Sequence, residues 1–327
     1  ISKKIYNYMY YNNLYTLWNF MPTYLVFEIF IFIFSIMIFT HSIINKLSTL
    51  WLYGLICGIL NDYFFMLLSL SNTFWHSQSL IMLSDRMPLY IPFMYTILIY
   101  PGFVIINNTN SNTLSKCIIS SFIGALLYSI YDYIGAKFIW WTWHTTDYSV
   151  KYRWLGVPYS STCWTIIHIF SFLLLFQKLN YPILSIFLTI PTMMILMGLF
   201  SIPFNYIGAP DENTLVTIIS IFVFTLLKFN TYKNILRQVY KGFYSNYSIS
   251  SAIIIYSLFL LGIYFVGDSK KHFSYGLHQQ YGPDNIKSYD LFGYIRNDYF
   301  SKNDTNRLFI LPIEPELYSN EYMIQGT

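Results

Sequence analysis

Long apolar runs alternate with short polar ones along most of the chain. Eight runs approach or reach the roughly 20 residues that a helix needs to cross a hydrocarbon core. They lie at Met21–Ile44, Leu50–Leu70, Leu89–Ile106, Leu114–Phe138, Thr162–Lys178, Pro182–Ile207, Asn213–Phe229 and Ser250–Val266. The runs are continuous rather than alternating at every second position. Only helices and closed barrels satisfy the backbone inside lipid, so the pattern predicts an all-α polytopic bundle of about eight spans. Between the second and third runs, "SNTFWHSQSLIMLSDRMPLY" is too polar to cross. It predicts a short interfacial helix or a re-entrant piece, with Trp75 as an anchor. Three regions follow: an N-terminal polar-aromatic segment over 1–20, a transmembrane helical domain over 21–267, and a mostly irregular extramembrane tail over 268–327. The tail holds eight of the fifteen acids and too few apolar runs for a core of its own. It is expected to be ordered only against the bundle or a partner.

Composition agrees with a membrane protein. Of 327 residues, 55% are hydrophobic and only 10% charged, where soluble domains carry about 25%. Tyr (32) and Phe (29) are so abundant that a single one carries little signal. The net charge of +4 is spread out, with no basic block of the kind that binds nucleic acid. Cys57, Cys117 and Cys163 sit in or beside spans, which argues against a disulfide framework or a thiolate metal site. The first twenty residues lack the apolar stretch of a signal peptide, and a start at Ile1 leaves room for residues upstream. The odd loops carry Lys46, Lys116, Lys178, Lys228, Lys233, Arg237 and Lys241 without an acid. The even loops are mixed: Asp85 with Arg86, Asp147 with Lys151 and Arg153, Asp211 with Glu212. The bias predicts cytosolic odd loops, with both termini and the Trp-rich loop lumenal or extracellular. Asn303-Asp304-Thr305 would then be an accessible glycosylation sequon.

Acids inside a membrane are costly and mark candidate functional sites. Asp62 and Asp132 stand out. Gly54, Gly58 and Asp62 are four apart and share a helical face; Gly124, Tyr128 and Asp132 repeat the spacing, with Gly135 one turn on. Small residues on such faces permit close helix packing, so each acid is expected on a tight helix contact. It is then either a functional group or a hydrogen-bonded lock, with Asn61 and Tyr131 as nearby partners. Glu28 reads as a snorkelling or hydrated acid. His41 reads as a membrane-edge residue. His168 lies on a polar stripe with Ser161, Thr165 and Ser171 and reads as a packing residue or a member of a polar network.

The densest cluster is "YDYIGAKFIWWTWHTTDYSVKYRWLGVPYSS", from Tyr131 to Ser161. Trp140, Trp141 and Trp143 read as an interfacial aromatic belt, and Lys137 can snorkel beside them. His144 and Asp147, three apart, could form an acid–base pair or ligate a metal, although a metal needs a third ligand from elsewhere. His76, Asp85, Asp132 and His168 are the residues that could converge there. The expected polar network is Asp62, His76, Asp85, Arg86, Asp132, Lys137, His144, Asp147, Arg153 and His168. No zincin, Walker, nucleophile-elbow or Cys-x-x-Cys motif occurs, so no cofactor or metal is expected. No internal repeat of the transporter kind is visible.

The segments "WHSQSLIMLSDRMPLYI", "SIYDYIGAKFIWWTWHTTD", "RWLGVPYSS" and "HFSYGLHQQYGPD" resemble an uncharacterised multi-pass membrane family of animals and apicomplexan-type parasites. The likeness covers roughly Trp75 to Ser161 and the start of the tail, and implies no established activity. A shorter likeness, through Asp132, Trp141–Trp143, Gly156–Pro158 and Ser160, is to the carotenoid-biosynthesis membrane hydratases. It implies that Asp132 is a candidate acid for protonating an isoprenoid double bond in a dry cavity. The insertion "HTTDYSVKYRWL" departs from that compact pattern.

Three functions fit. The first is an accessory or modulatory subunit bound to a larger membrane protein, such as a transporter or ion-pumping ATPase. The second is a membrane-embedded enzyme acting on a lipid or isoprenoid, with Asp132, His144 and Asp147 catalytic. The third is a transporter with Asp62 and Asp132 on its pathway. Membrane lipids are partners under all three, and nucleic acid under none.

Overall fold

The computed structural model describes residues 9–67, 74–84, 87–138, 140–143, 153–206, 211–229, 232–268, 288–289 and 295–296. Among them are α1 (Leu14–Phe20), α2 (Pro22–Ile44), α3 (Ser48–Leu67), α4 (Tyr90–Asn107) and α5 (Thr113–Phe138). Then come α6 (Tyr159–Lys178), α7 (Leu184–Tyr206), α8 (Asp211–Phe229), α9 (Tyr232–Ser245) and α10 (Tyr247–Val266). Every one of the eight apolar runs is helical, as α2 to α8 and α10. Local chemistry sets several ends. Asn13 caps α1 by accepting from the Thr16 N–H at 3.1 Å, Asn112 accepts from the Ser115 N–H at 2.8 Å at the start of α5, and Pro22 occupies the first turn of α2.

Seven helices, α2, α4, α5, α6, α7, α8 and α10, are long and apolar enough to cross a membrane. The chain is a multi-pass membrane protein with an all-α bundle. The central helix is α4, with 83% of its apolar window buried, against 22% for α8 and 28% for α10. Large apolar side chains on the outer helices, such as Phe224, Leu258 and Phe265, face outward, as a lipid-facing perimeter requires. α4 and α5 approach closely from both sides: a Cβ on Gly102 would lie 2.7 Å from the Ser120 carbonyl oxygen, and one on Gly124 would lie 2.5 Å from that of Leu98.

Short strands cap one end. β1 (Tyr10–Tyr11), β3 (Ile81–Ser84) and β4 (Met87–Pro88) form one sheet. β2 (Phe74–His76) pairs with β5 (Trp141–Trp143), and β7 (Val157–Pro158), β6 (Arg153–Trp154), β8 (Ser288–Tyr289) and β9 (Ile295–Arg296) form a third sheet. The segment before α1, the α3–α4 connection, the α5–α6 connection and the strands after α10 therefore meet at the same end. Only α2 and α3 separate the first of these from the second among long helices. α3 must then traverse the bundle as well.

Four features differ from the sequence expectation. The stretch expected as an interfacial helix or re-entrant piece is strand over Phe74–His76, Ile81–Ser84 and Met87–Pro88, because β2 and β3 find partners in distant segments, β5 and β1, and β4 folds back on β3. The basic segment between α8 and α10 is a helix, α9, with Ile235, Val239 and Phe243 against the core and Lys233, Arg237, Tyr240 and Lys241 exposed. Glu28 is neither hydrated nor snorkelling. It is fully buried and accepts from the backbone N–H groups of Leu80 (2.7 Å) and Ile81 (3.1 Å). The tryptophans do not form an interfacial belt: Trp140, Trp141 and Trp143 are all buried, Trp140 stacking on Phe27 at 4.5 Å.

Candidate functional site

A cavity of about 360 Å³ lies between α3, α4, α5, α6 and α7, beneath the β2–β5 ribbon. The ribbon's register pairs Phe74 with Trp143 and His76 with Trp141. Strand alternation puts all four on one face, and all four line the cavity as its roof. Asn61 and Asp62 come from α3, Tyr95 from α4, Tyr128 and Tyr131 from α5, and Met194 and Met197 from α7. On α6, Ser161, Thr165 and His168 follow at helical spacing and line one wall.

Both intramembrane acids serve this cavity. Asp62 is part of its wall. The Tyr95 hydroxyl donates to Asp62 Oδ1 at 2.5 Å, and Asn61 Nδ2 donates to the Tyr95 oxygen at 2.7 Å and to Asp62 Oδ1 at 3.4 Å. Asp132 is fully buried just behind the wall. Trp141 Nε1 donates to its Oδ1 at 3.1 Å and Ser161 Oγ to its Oδ2 at 2.8 Å. The Tyr128 hydroxyl lies 3.2 Å from Ser161 Oγ.

The two acids share one construction. A glycine one turn away lets an aromatic ring lie flat on the helix and deliver a donor to the carboxyl group. A Cβ on Gly58 would run into the Tyr95 ring, and one on Gly135 would run into the Trp141 indole. Gly54, expected on the same tight face, is different: a Cβ there meets ordinary contacts, Ile99 at 3.5 Å and Phe172 at 4.0 Å.

The wall residues also hold buried polar atoms with no partner. His168 is 2% exposed, and neither ring nitrogen has a hydrogen-bond partner. Its ring lies 5.1 Å from that of Tyr95, centroid to centroid. Asn61 Oδ1 is likewise unpartnered. Among the described lining residues there is no Lys or Arg.

The structure thus gathers Asp62, His76, Asp132 and His168 of the expected network around one space. It separates two others. Lys137 lies 3.6 Å over the Tyr264 ring, away from the cavity. Arg153 is buried in the cap, donates to the Trp143 carbonyl at 3.2 Å and lies 5.8 Å from the Trp143 ring centroid. Burial lowers the pKa of its guanidinium. Asp85, Arg86, His144 and Asp147 lie outside the described residues. No group of three or more His, Cys, Asp and Glu side chains among the described residues is placed to hold a metal, and the three cysteines are buried and not joined in a disulfide. Sequence reasoning missed Tyr95 and Trp164, both in the wall. In a chain with 32 tyrosines and 29 phenylalanines, no spacing distinguishes Tyr95 from the others; only its seat opposite Gly58 does.

The chain belongs to the family described as "Domain of unknown function (DUF7802)", whose profile matches residues 7–186, more than half of its length. The matched segment holds α1 to α6, the roof and both acids; Met194 and Met197 lie beyond it. No curated protein and no solved structure matches the chain.

Proposed function

We propose that the chain is a membrane-embedded enzyme that performs acid–base chemistry on a lipid or isoprenoid within this cavity. The observation that carries the reading is that two buried carboxyl groups from different helices serve one internal space walled by aromatic rings. An accessory subunit has no need of such a space. A hydratase-like reaction suits the geometry. A carboxyl proton passes to one carbon of a double bond, water adds to the cationic carbon, and the added water returns a proton to the carboxylate. The rings of Tyr95, Tyr128, Trp141 and Trp164 line the cavity, and aromatic faces stabilise positive charge on carbon. Asp62 is placed to meet the substrate. Asp132 is placed to act through Ser161, which it orients.

The basic connections at the end opposite the strands support a cytosolic placement of that end, with the roof lumenal or extracellular. Labelling of an engineered cysteine at Lys46, in sealed cells against permeabilised ones, tests this: labelling without permeabilisation overturns it.

The enzyme reading is tested by complementing a knockout with Asp62→Asn and Asp132→Asn. Both variants are expected at normal abundance and location, with lipid profiles that stay like the knockout's. Restoration of the wild-type profile by both variants would sink the reading. A second protein recovered in stoichiometric amount on a native gel, with a knockout lipid profile like the wild type's, would return the weight to the accessory subunit.

A further inference from the structure

The polar atoms that the fold leaves unpartnered describe what the cavity takes. Buried polar groups are nearly always hydrogen-bonded, and an unpaired one is a standing cost to stability. Three such atoms belong to neighbouring residues of the cavity wall: both nitrogens of His168 and the side-chain oxygen of Asn61, which are joined through the Tyr95 ring and hydroxyl. Tyr95 and Asp62 are satisfied by each other, so the vacancy is specific to His168 and Asn61.

Donor and acceptor counting narrows the guest. A neutral imidazole offers one N–H donor and one acceptor nitrogen, while Asn61 Oδ1 can only accept. A hydroxyl group supplies both a donor and an acceptor. An ammonium group supplies donors alone and would leave the imidazole N–H unpaired. A phosphate or carboxylate would enter a wall that holds the Asp62 carboxyl group and, among the described residues, no Lys or Arg to neutralise it. Part of the remaining wall is apolar, with Leu98, Ile169, Met194 and Met197, and Met side chains adapt to irregular chains. The volume of about 360 Å³ lies at the small end of ligand cavities.

We propose that the cavity binds an uncharged amphiphile through a hydroxyl group seated between His168 and Asn61, with its hydrocarbon body against the α6–α7 side. The inference deepens the proposed function and rests on the same cavity, but it concerns binding alone. His168 is then a ligand-binding residue held in place at the expense of the empty protein's stability.

The test uses the full chain, purified into lipid nanodiscs, with thermal unfolding followed through its buried cysteines by a thiol-reactive dye. Three probes with one tail are compared: farnesol, farnesylamine and farnesyl monophosphate. Farnesol is expected to raise the unfolding midpoint by several degrees, and the other two to have little or no effect. His168→Phe keeps a ring and removes both nitrogens. It is expected to unfold at or above the wild-type temperature without probe and to lose the farnesol shift. If His168→Phe does not fold, Asn61→Leu serves as the second variant and is expected to weaken the farnesol shift. A shift equal or larger with the amine or the phosphate overturns the proposal. So does an intact farnesol shift in His168→Phe, and so does the lack of any shift in the wild type, which would mean that water satisfies these atoms. The farnesol shift is expected to survive Asp132→Asn. A surviving shift with normal lipids in the Asp132→Asn and Asp62→Asn cells removes the enzyme reading alone. No shift with abnormal lipids in those cells removes the binding inference alone.

Discussion

Replacing Glu28 by alanine would strip two partly buried backbone N–H groups, those of Leu80 and Ile81, of their acceptor. The bonds measure 2.7 and 3.1 Å and both run from α2 to the capping segment. Leaving one fully buried donor unsatisfied costs about 1–3 kcal/mol, so two fully buried ones would cost about 2–6 kcal/mol, and partial access of water to these two lowers the figure. Relief of the buried carboxyl group's own desolvation offsets part of this, which favours the lower half of that range. Glu28→Gln keeps one oxygen acceptor and turns an amide N–H₂ toward the second donor, so it should cost about 1–3 kcal/mol. Glu28→Asp is too short to reach either group and should resemble alanine. The damage should spread within the cap, since the Asn12 N–H donates to the Leu80 carbonyl (3.0 Å) and the Leu89 N–H to the Ile81 carbonyl (2.8 Å). The buried thiols of Cys57, Cys117 and Cys163 make a convenient unfolding probe in nanodiscs. The expected order of midpoints is wild type, then glutamine, then alanine and aspartate together. The reasoning is refuted if alanine and glutamine both lie within about 0.5 kcal/mol of wild type, the range of ordinary surface substitutions.

Two further substitutions test the geometry around the site. Gly135→Ala places a methyl group where the Trp141 indole lies; it should displace the ring, break its bond to Asp132 and give a lipid profile like that of Asp132→Asn, with altered tryptophan fluorescence. An unchanged spectrum and profile would contradict this. Leu155 has φ 52° and Gly156 φ 82° in the turn between β6 and β7, a left-handed pair that favours Asn-Gly over Leu-Gly. Leu155→Asn should therefore raise stability by about 0.5–1 kcal/mol, read as a higher unfolding midpoint; a lower midpoint refutes it.

The spans were legible because a helix in lipid has a length requirement that composition must meet, and each of the eight runs meets or nearly meets it. The acids were legible as well, since Asp62 and Asp132 are conspicuous in apolar runs. The convergence was not. Asp62 meets Tyr95 across two helices, and Asp132 meets Trp141 only because Gly135 removes a Cβ between them. Helical spacing identifies a face but not what the face meets. The strands were not legible because each is only two to four residues long, too short for alternation to show, and β2 gains its partner from the distant β5 and β3 one of its partners from the distant β1. Glu28 was misread for a related reason: its partners are backbone amides of another segment, which no side-chain pattern records.

The pairing of β2 with β5 fixes an order of manufacture. When Phe74–His76 emerges, its partner Trp141–Trp143 has not yet been made, and α4 and α5 must both be inserted before the ribbon can close. The same holds for α3, whose Asp62 is a poor passenger for a lone inserting helix and finds the Tyr95 hydroxyl only when α4 arrives beside it. During synthesis the nascent chain therefore carries an unroofed, water-accessible acid through two rounds of insertion. Premature release before α5 would leave that acid uncovered in the bilayer, a lesion that membrane quality control can recognise. A chain truncated between α4 and α5 should be degraded faster than one truncated after α6.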